Sequence, residues 1–167
     1  MEILDNLNKL QNYWHKRVLF VCSGNICRSP TADGMLRHEL QQAGLSDKIY
    51  VDGAGTHGFH QGERPDPRAI EVAAEKGVDL SLLTARKVTE KDFEQFDVIY
   101  AMDHGHFEIL QRLKPKHATC EIKMYLQTGD VPDPWYGNKE DFYEMYDIIK
   151  ARMPQIIADL SMGIDEA

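Results

Sequence analysis

Val18-Leu19-Phe20-Val21-Cys22-Ser23-Gly24-Asn25-Ile26-Cys27-Arg28-Ser29-Pro30 is the stretch that decides the fold. The apolar run up to Val21 predicts a buried β-strand, and Ser29-Pro30 predicts a helix opening, because proline suits the first helical turn. The loop between them is short, so its backbone N–H groups can converge on one point. Such a nest holds a tetrahedral anion, with the positive end of the helix behind it. A cysteine reacts as the thiolate, which a helix N-terminus and a nearby arginine both favour. Cys22 therefore reads as a nucleophile at the base of an anion cradle. Arg28 reads as the clamp, since its planar fork matches two phosphate oxygens. Gly24 and Asn25 are the two residues expected to take the positive φ that a tight cradle needs.

Outward from this loop, apolar runs alternate with amphipathic stretches. Ile49–Val51, Val98–Met102 and Ile122–Leu126 predict three further strands. Helices are predicted from Ser29 to about Ala43, from about Pro67 to Lys76, and near His104–Leu113. Gly44 and Gly77 stand where helices one and two should stop. A short helix is expected to begin at Thr89–Asp92. The last helix has the strongest period, with Phe142, Met145, Tyr146, Ile149, Met153, Ile156, Ile157 and Leu160 on one face. Asn138 and Asp141 suit its cap, and Pro154 is expected to kink or split it. This order predicts an α/β, three-layer, doubly wound fold: a central four-stranded parallel sheet with helices on both faces. Cys22 then lies at a strand's carboxyl end, where such folds bind ligands.

The chain has 167 residues, 43% hydrophobic and 28% charged, which suits one domain spanning 17–167. Residues 1–16 form an N-terminal extension, helical or partly ordered, in which Leu4, Leu7, Leu10 and Trp14 could make one apolar stripe. That stripe would pack on the domain or meet a partner. A net charge of −8 argues against a nucleic-acid partner. No apolar run is long enough to span a membrane, and no secretory signal opens the chain. Three cysteines make no disulfide framework, so a cytoplasmic, reducing setting is expected. The oligomeric state is left open.

Cys22-x5-Arg28-Ser29 resembles the signature of cysteine-based tyrosine phosphatases, and Val21-Cys22-x-Gly24-Asn25-Ile26-Cys27-Arg28-Ser29-Pro30 is similar to the low-molecular-weight branch. Three more segments carry the resemblance: Val51–Thr56, Pro65–Ala69 and Asp133-Pro134-Trp135-Tyr136-Gly137. It implies a protein tyrosine phosphatase that forms phosphocysteine on Cys22, uses no metal or cofactor, and acts on phosphotyrosine-containing proteins. It implies Asp133 as general acid, then as base toward water. Ser23, Gly24, Asn25, Ile26, Cys27 and Ser29 would bind substrate as the loop. Ser29 could donate to the Cys22 thiolate or simply cap the helix. Asn25 could brace the loop or be a plain turn residue. Trp135 and Tyr136 would wall an aryl slot, against the alternative of core packing. In the family a pair such as Cys22 and Cys27 can form a reversible disulfide, although Cys27 could equally be loop packing. Ile26 stands where relatives that prefer phosphoarginine have threonine, so it favours phosphotyrosine.

The chain also departs from the pattern. Gly53 and Leu83 stand where many relatives have the Ser and His that brace the loop through its Asn, and Phe59-His60 stands where a Trp is common. Two rival functions follow. An arsenate reductase on the same fold needs relay cysteines near mid-chain, and none lies between Cys27 and Cys120. A phosphoprotein-binding module without turnover would fit the lost braces but not the retention of Cys22, Arg28 and Asp133.

Overall fold

Strand β1 (Lys16–Cys22) lies inside the sheet because its residues are apolar on both faces. In the computed structural model, which describes residues 13–164, β1 pairs in parallel with β2 (Ile49–Gly55) on one side and β3 (Val98–Ala101) on the other, and β3 pairs with β4 (Glu121–Met124). The sheet order is β2-β1-β3-β4, all parallel. Val18, Phe20 and Cys22 face one core with α1 (Arg28–Gln42), α2 (Pro67–Glu75) and α5 (Lys139–Ser161). Leu19 and Val21 face a second core with α3 (Asp92–Gln95) and α4 (His104–Leu113). A strand buried on both faces reads as a continuous apolar run instead of an alternating one. The three-layer, doubly wound expectation holds.

The helix ends follow local chemistry. Gly44 and Gly77 take φ of +72° and +82°, the left-handed stops expected of them. Asp66 caps α2, with its side chain accepting from the Arg68 amide. Asn138 and Asp141 form a reciprocal capping box on α5. Pro154 does not split α5, which runs unbroken from Lys139 to Ser161. Pro154 sits on the exposed face, while Met153, Ile156 and Leu160 keep the buried stripe continuous around it.

All four strands shift in their bounds, β1 starting at Lys16 and β3 stopping at Ala101, and β2 and β4 differ most from expectation. β2 extends to Gly55 through Asp52-Gly53-Ala54, residues that favour strands poorly, because the Lys16–Cys22 register opposite carries them. β4 is an edge strand with alternating exposure, and it begins one residue early at Glu121. Residues 1–12, with Leu4, Leu7 and Leu10 of the predicted stripe, lie outside the described residues. Trp14 of the extension packs on Tyr50 of β2, with ring centroids 5.4 Å apart.

Candidate active site

Residues 23–27 join the end of β1 to the start of α1. Three of their carbonyls are tied to neighbouring segments: Ser23 O accepts from the His57 amide (3.1 Å), Ile26 O from the Asp66 amide (2.8 Å), and Cys27 O from Thr31 Oγ1 (2.7 Å). Among the described residues, no amide of 23–27 donates to a protein acceptor. Buried amides are almost always paired, so five free donors in one tight loop form a nest for an anion. Asn25 is the one non-glycine described residue with positive φ, at +58°.

Gly24 is not in the left-handed region, against expectation, and the structure gives it a different reason. A Cβ on Gly24 would lie 2.9 Å from His60 Cδ2 and 3.2 Å from His57 Cε1, so glycine is what lets the loop meet those rings.

The Cys22 Sγ lies 3.1 Å from Ser29 Oγ, and both residues are buried. Ser29 Oγ accepts in turn from Asn25 Nδ2 (2.6 Å), while Asn25 Oδ1 accepts from the Arg86 amide (3.2 Å). This answers how Asn25 is held without a Ser at 53 or a His at 83. A Cβ on Gly53 would come within 2.9 Å of Asn25 Nδ2, so glycine makes room for the amide itself. The Arg86 amide is steadied because its side chain pairs with Asp92 (2.8 Å) and Asp52 (3.1 Å).

Arg28 is buried and half committed. Its Nη1 donates to Asp103 Oδ2 (2.8 Å) and to Val131 O (2.9 Å). Among the described residues its Nε has no partner, and its Nη2 makes only long contacts, to Ser23 Oγ (3.5 Å), His106 Nε2 (3.5 Å) and Asp133 Oδ2 (3.7 Å). The Nε–Nη2 edge is the one that grips two oxygens of a phosphate side-on. Burial would push the Asp103 carboxyl up, but the His106 amide, the His106 ring and the Arg28 guanidinium hold it below the usual range, so it stays an anion behind the clamp.

A cavity of about 350 Å³ opens over this loop. Its floor is Cys22, Ser23, Gly24, Ile26, Cys27 and Arg28, and its walls are Asp133, Trp135 and Tyr136 on one side and His57, Phe59 and His60 on the other. Trp135 and Tyr136 meet edge to face and are 43% and 86% exposed, which counts against core packing for the pair, and Phe59 is 84% exposed. Asp133 sits on the wall, half exposed, with Oδ1 accepting from the Trp135 amide (3.1 Å). All three cysteines are free thiols. Burial, then the neighbouring Cys22, pushes the Cys27 thiol far up, so it rests protonated.

The structure thus gathers Cys22, Ser23, Gly24, Ile26, Cys27, Arg28, Asp133, Trp135 and Tyr136 around one cavity and puts Asn25 and Ser29 directly beneath it. Sequence reading missed Asp103, His106, His57 and Arg86. Asp103 carried a usable signal: it follows β3 directly, at the carboxyl edge of the sheet where ligands bind. The others make contacts across 25 or more residues that no local pattern reveals.

Comparison with known proteins agrees with this geometry. A family model described as "Low molecular weight phosphotyrosine protein phosphatase" matches residues 17–164. A low molecular weight phosphotyrosine protein phosphatase of Schizosaccharomyces pombe is 39% identical over 137 residues, covering 78% of this chain and 87% of its own. A low molecular weight protein-tyrosine-phosphatase of Streptomyces coelicolor is 37% identical over 151 residues, covering 85% and 92%. Among solved structures, a protein tyrosine phosphatase from Entamoeba histolytica with Hepes in its active site superposes with a TM-score of 0.83 at 33% identity, covering 89% of this chain and 98% of that one.

Proposed function

The chain belongs to the low molecular weight phosphotyrosine protein phosphatase family and is a protein tyrosine phosphatase, and from that premise we propose that it works through a phosphocysteine on Cys22. The thiolate attacks phosphorus, the P–O bond to the aryl group breaks, and Asp133 gives its proton to the leaving oxygen. The loop amides and the Nε–Nη2 edge of Arg28 take the charge of the equatorial oxygens. A water then attacks the phosphocysteine, Asp133 accepts its proton, and the thiolate leaves toward the Ser29 hydroxyl. What supports this reading is that Asp133 Oδ2 lies 3.7 Å from Arg28 Nη2 over the loop, the arrangement an acid and a clamp serving one phosphate require.

The aromatic rim supports phosphotyrosine as the substrate group. A slot walled by exposed aromatics above Cys22 would take a phenyl ring, whereas phosphoserine keeps its phosphate too close to the peptide to reach the floor. Ile26 lines the floor without a hydroxyl, which favours aryl phosphates over phosphoarginine. Phosphotyrosine-containing proteins are the proposed partners. The proposed compartment is the cytoplasm, where three unpaired cysteines stay reduced.

Two measurements test this. Across phosphotyrosine, phosphoserine and phosphoarginine peptides of matched sequence, kcat/KM should favour phosphotyrosine by about 100-fold or more; parity with phosphoarginine would remove the role given to Ile26. Asp133→Asn should slow aryl phosphate cleavage by about 10²–10³-fold. The loss should grow as the leaving phenol becomes more basic, and a loss independent of leaving group would remove Asp133 from the acid role.

A further inference from the structure

Beside the nucleophile stands a pair that the scheme above does not use. His106, on the first turn of α4, is buried with 3% of its surface exposed. Its Nε2 lies 2.8 Å from Ser23 Oγ, on the residue next to Cys22, and 3.5 Å from Arg28 Nη2. Its Nδ1 lies 3.2 Å from Asp103 Oδ1 but makes no hydrogen bond among the described residues, since that oxygen accepts from the His106 amide. A buried histidine with one nitrogen toward an active-loop hydroxyl and the other toward a carboxylate has a defined orientation, and that orientation fixes what the hydroxyl can do.

Burial, then the positive charge of Arg28, holds His106 down at about 4, so the ring is neutral at physiological pH. A neutral ring carries one proton. Arg28 Nη2, which can only donate, lies 3.5 Å from Nε2, so Nε2 keeps its lone pair and the proton sits on Nδ1, on the side of the Asp103 carboxylate. The Nδ1–H tautomer is therefore favoured, Nε2 accepts, and Ser23 donates to it. Ser23 Oγ is left with lone pairs only; Arg28 Nη2 lies 3.5 Å from it, and Ser23 lines the cavity. A lone pair facing the cavity has nothing to offer a phosphate dianion, which is also all acceptor. It suits a molecule that brings protons.

We propose that Ser23, oriented by His106, accepts a hydrogen bond from the water that hydrolyses the phosphocysteine, and so acts in the second step and not in the first. This rests on the phosphocysteine reading. In that step the S–P bond breaks and a new O–P bond forms. The water gives one proton to Asp133 and points the other at Ser23 Oγ. The electron pair of the broken bond returns to Cys22 as thiolate, and inorganic phosphate departs. Ser23 Oγ and Asp133 Oδ2 share Arg28 Nη2 as a neighbour, at 3.5 and 3.7 Å, which sets both beside the same arm of the clamp. Ser23 is the catalytic residue here and His106 is a positioning residue.

Rapid mixing with p-nitrophenyl phosphate separates the steps, because p-nitrophenol appears in the first and phosphate in the second. For Ser23→Ala the burst rate should stay within about twofold of the parent, while steady-state kcat falls about 5- to 10-fold and phosphoenzyme accumulates on acid quench. Ser23→Thr, which keeps the hydroxyl, should recover most of kcat. His106→Ala should repeat the Ser23→Ala pattern, and if that variant does not fold the serine pair decides alone. An unchanged kcat in Ser23→Ala, or equal slowing of burst and steady state, overturns the assignment while leaving the covalent scheme intact. A parent protein with no burst and no trapped phosphoenzyme takes down both.

Discussion

Replacing Cys22 by serine should reduce turnover of p-nitrophenyl phosphate by at least about 10⁴-fold, the scale on which removing a covalent nucleophile acts, or roughly 5.5 kcal/mol of barrier. The site around it should barely change. Serine is smaller and isosteric enough to keep the contact to Ser29 Oγ, and the loop is held by bonds that do not involve the sulfur: His57 N to Ser23 O, Asp66 N to Ile26 O and Asn25 to both Ser29 and the Arg86 amide. Affinity for inorganic phosphate, measured by calorimetry, should therefore remain within about threefold of the parent while catalysis is lost. That split is what distinguishes a nucleophile from a structural thiol. A serine hydroxyl in the same nest is not ionised, and the same amides that would steady a thiolate cannot make it one. Retention of even a tenth of the activity would show that phosphoryl transfer does not pass through position 22. Loss of phosphate affinity together with activity would show instead that the sulfur shapes the cradle.

The cradle was the most legible part of this protein because every ingredient is local. Strand, loop and helix start lie within fifteen residues, and each residue's backbone habit follows from its type. The acid role proposed for Asp133 was suggested in the sequence only by the aromatics that follow it, since Asp66-Pro67 is the same dipeptide and caps a helix. What the sequence hid is the second layer. Asp103 grips Arg28 from 75 residues away, His106 reaches Ser23 across 83, and Arg86 holds Asn25 across 61. Those partners are brought together by the parallel order β2-β1-β3-β4, which sets the loops after β1 and β3 side by side. Gly53 illustrates the limit from the other direction. Its loss of a bracing side chain looked like a weakened loop, and in the fold it is the space that lets Asn25 turn its amide onto Ser29. Strand β2 was read three residues long and is seven, because pairing partners overrule the poor propensity of Asp52-Gly53-Ala54.

Arg28→Lys is expected to show how fully the clamp depends on shape beyond charge. Lysine keeps the positive charge beside Asp103, but it has one nitrogen where arginine has three. In this site arginine divides its work: Nη1 is held by Asp103 and Val131 O, and only the Nε–Nη2 edge is free for substrate. A lysine ammonium drawn to Asp103 leaves nothing facing the phosphate. One reaching the phosphate leaves Asp103 and Val131 O without their donor, at about 1.5–3 kcal/mol for a hydrogen bond to a charged group. Either way kcat should fall by about 10²–10³-fold, the scale of losing one preorganised donor at developing charge. The melting temperature should drop by only a few degrees for a chain of this length. Phosphate affinity should fall with kcat, unlike in the Cys22 variant, because the fork serves ground state and transition state alike. Asp103→Asn provides the complementary case: it keeps an acceptor for Nη1 but removes the charge, so it should cost less than Arg28→Lys in kcat. If Arg28→Lys turned over aryl phosphates within tenfold of the parent, bidentate capture by the Nε–Nη2 edge would be wrong, and the loop amides would have to carry the transition-state charge alone.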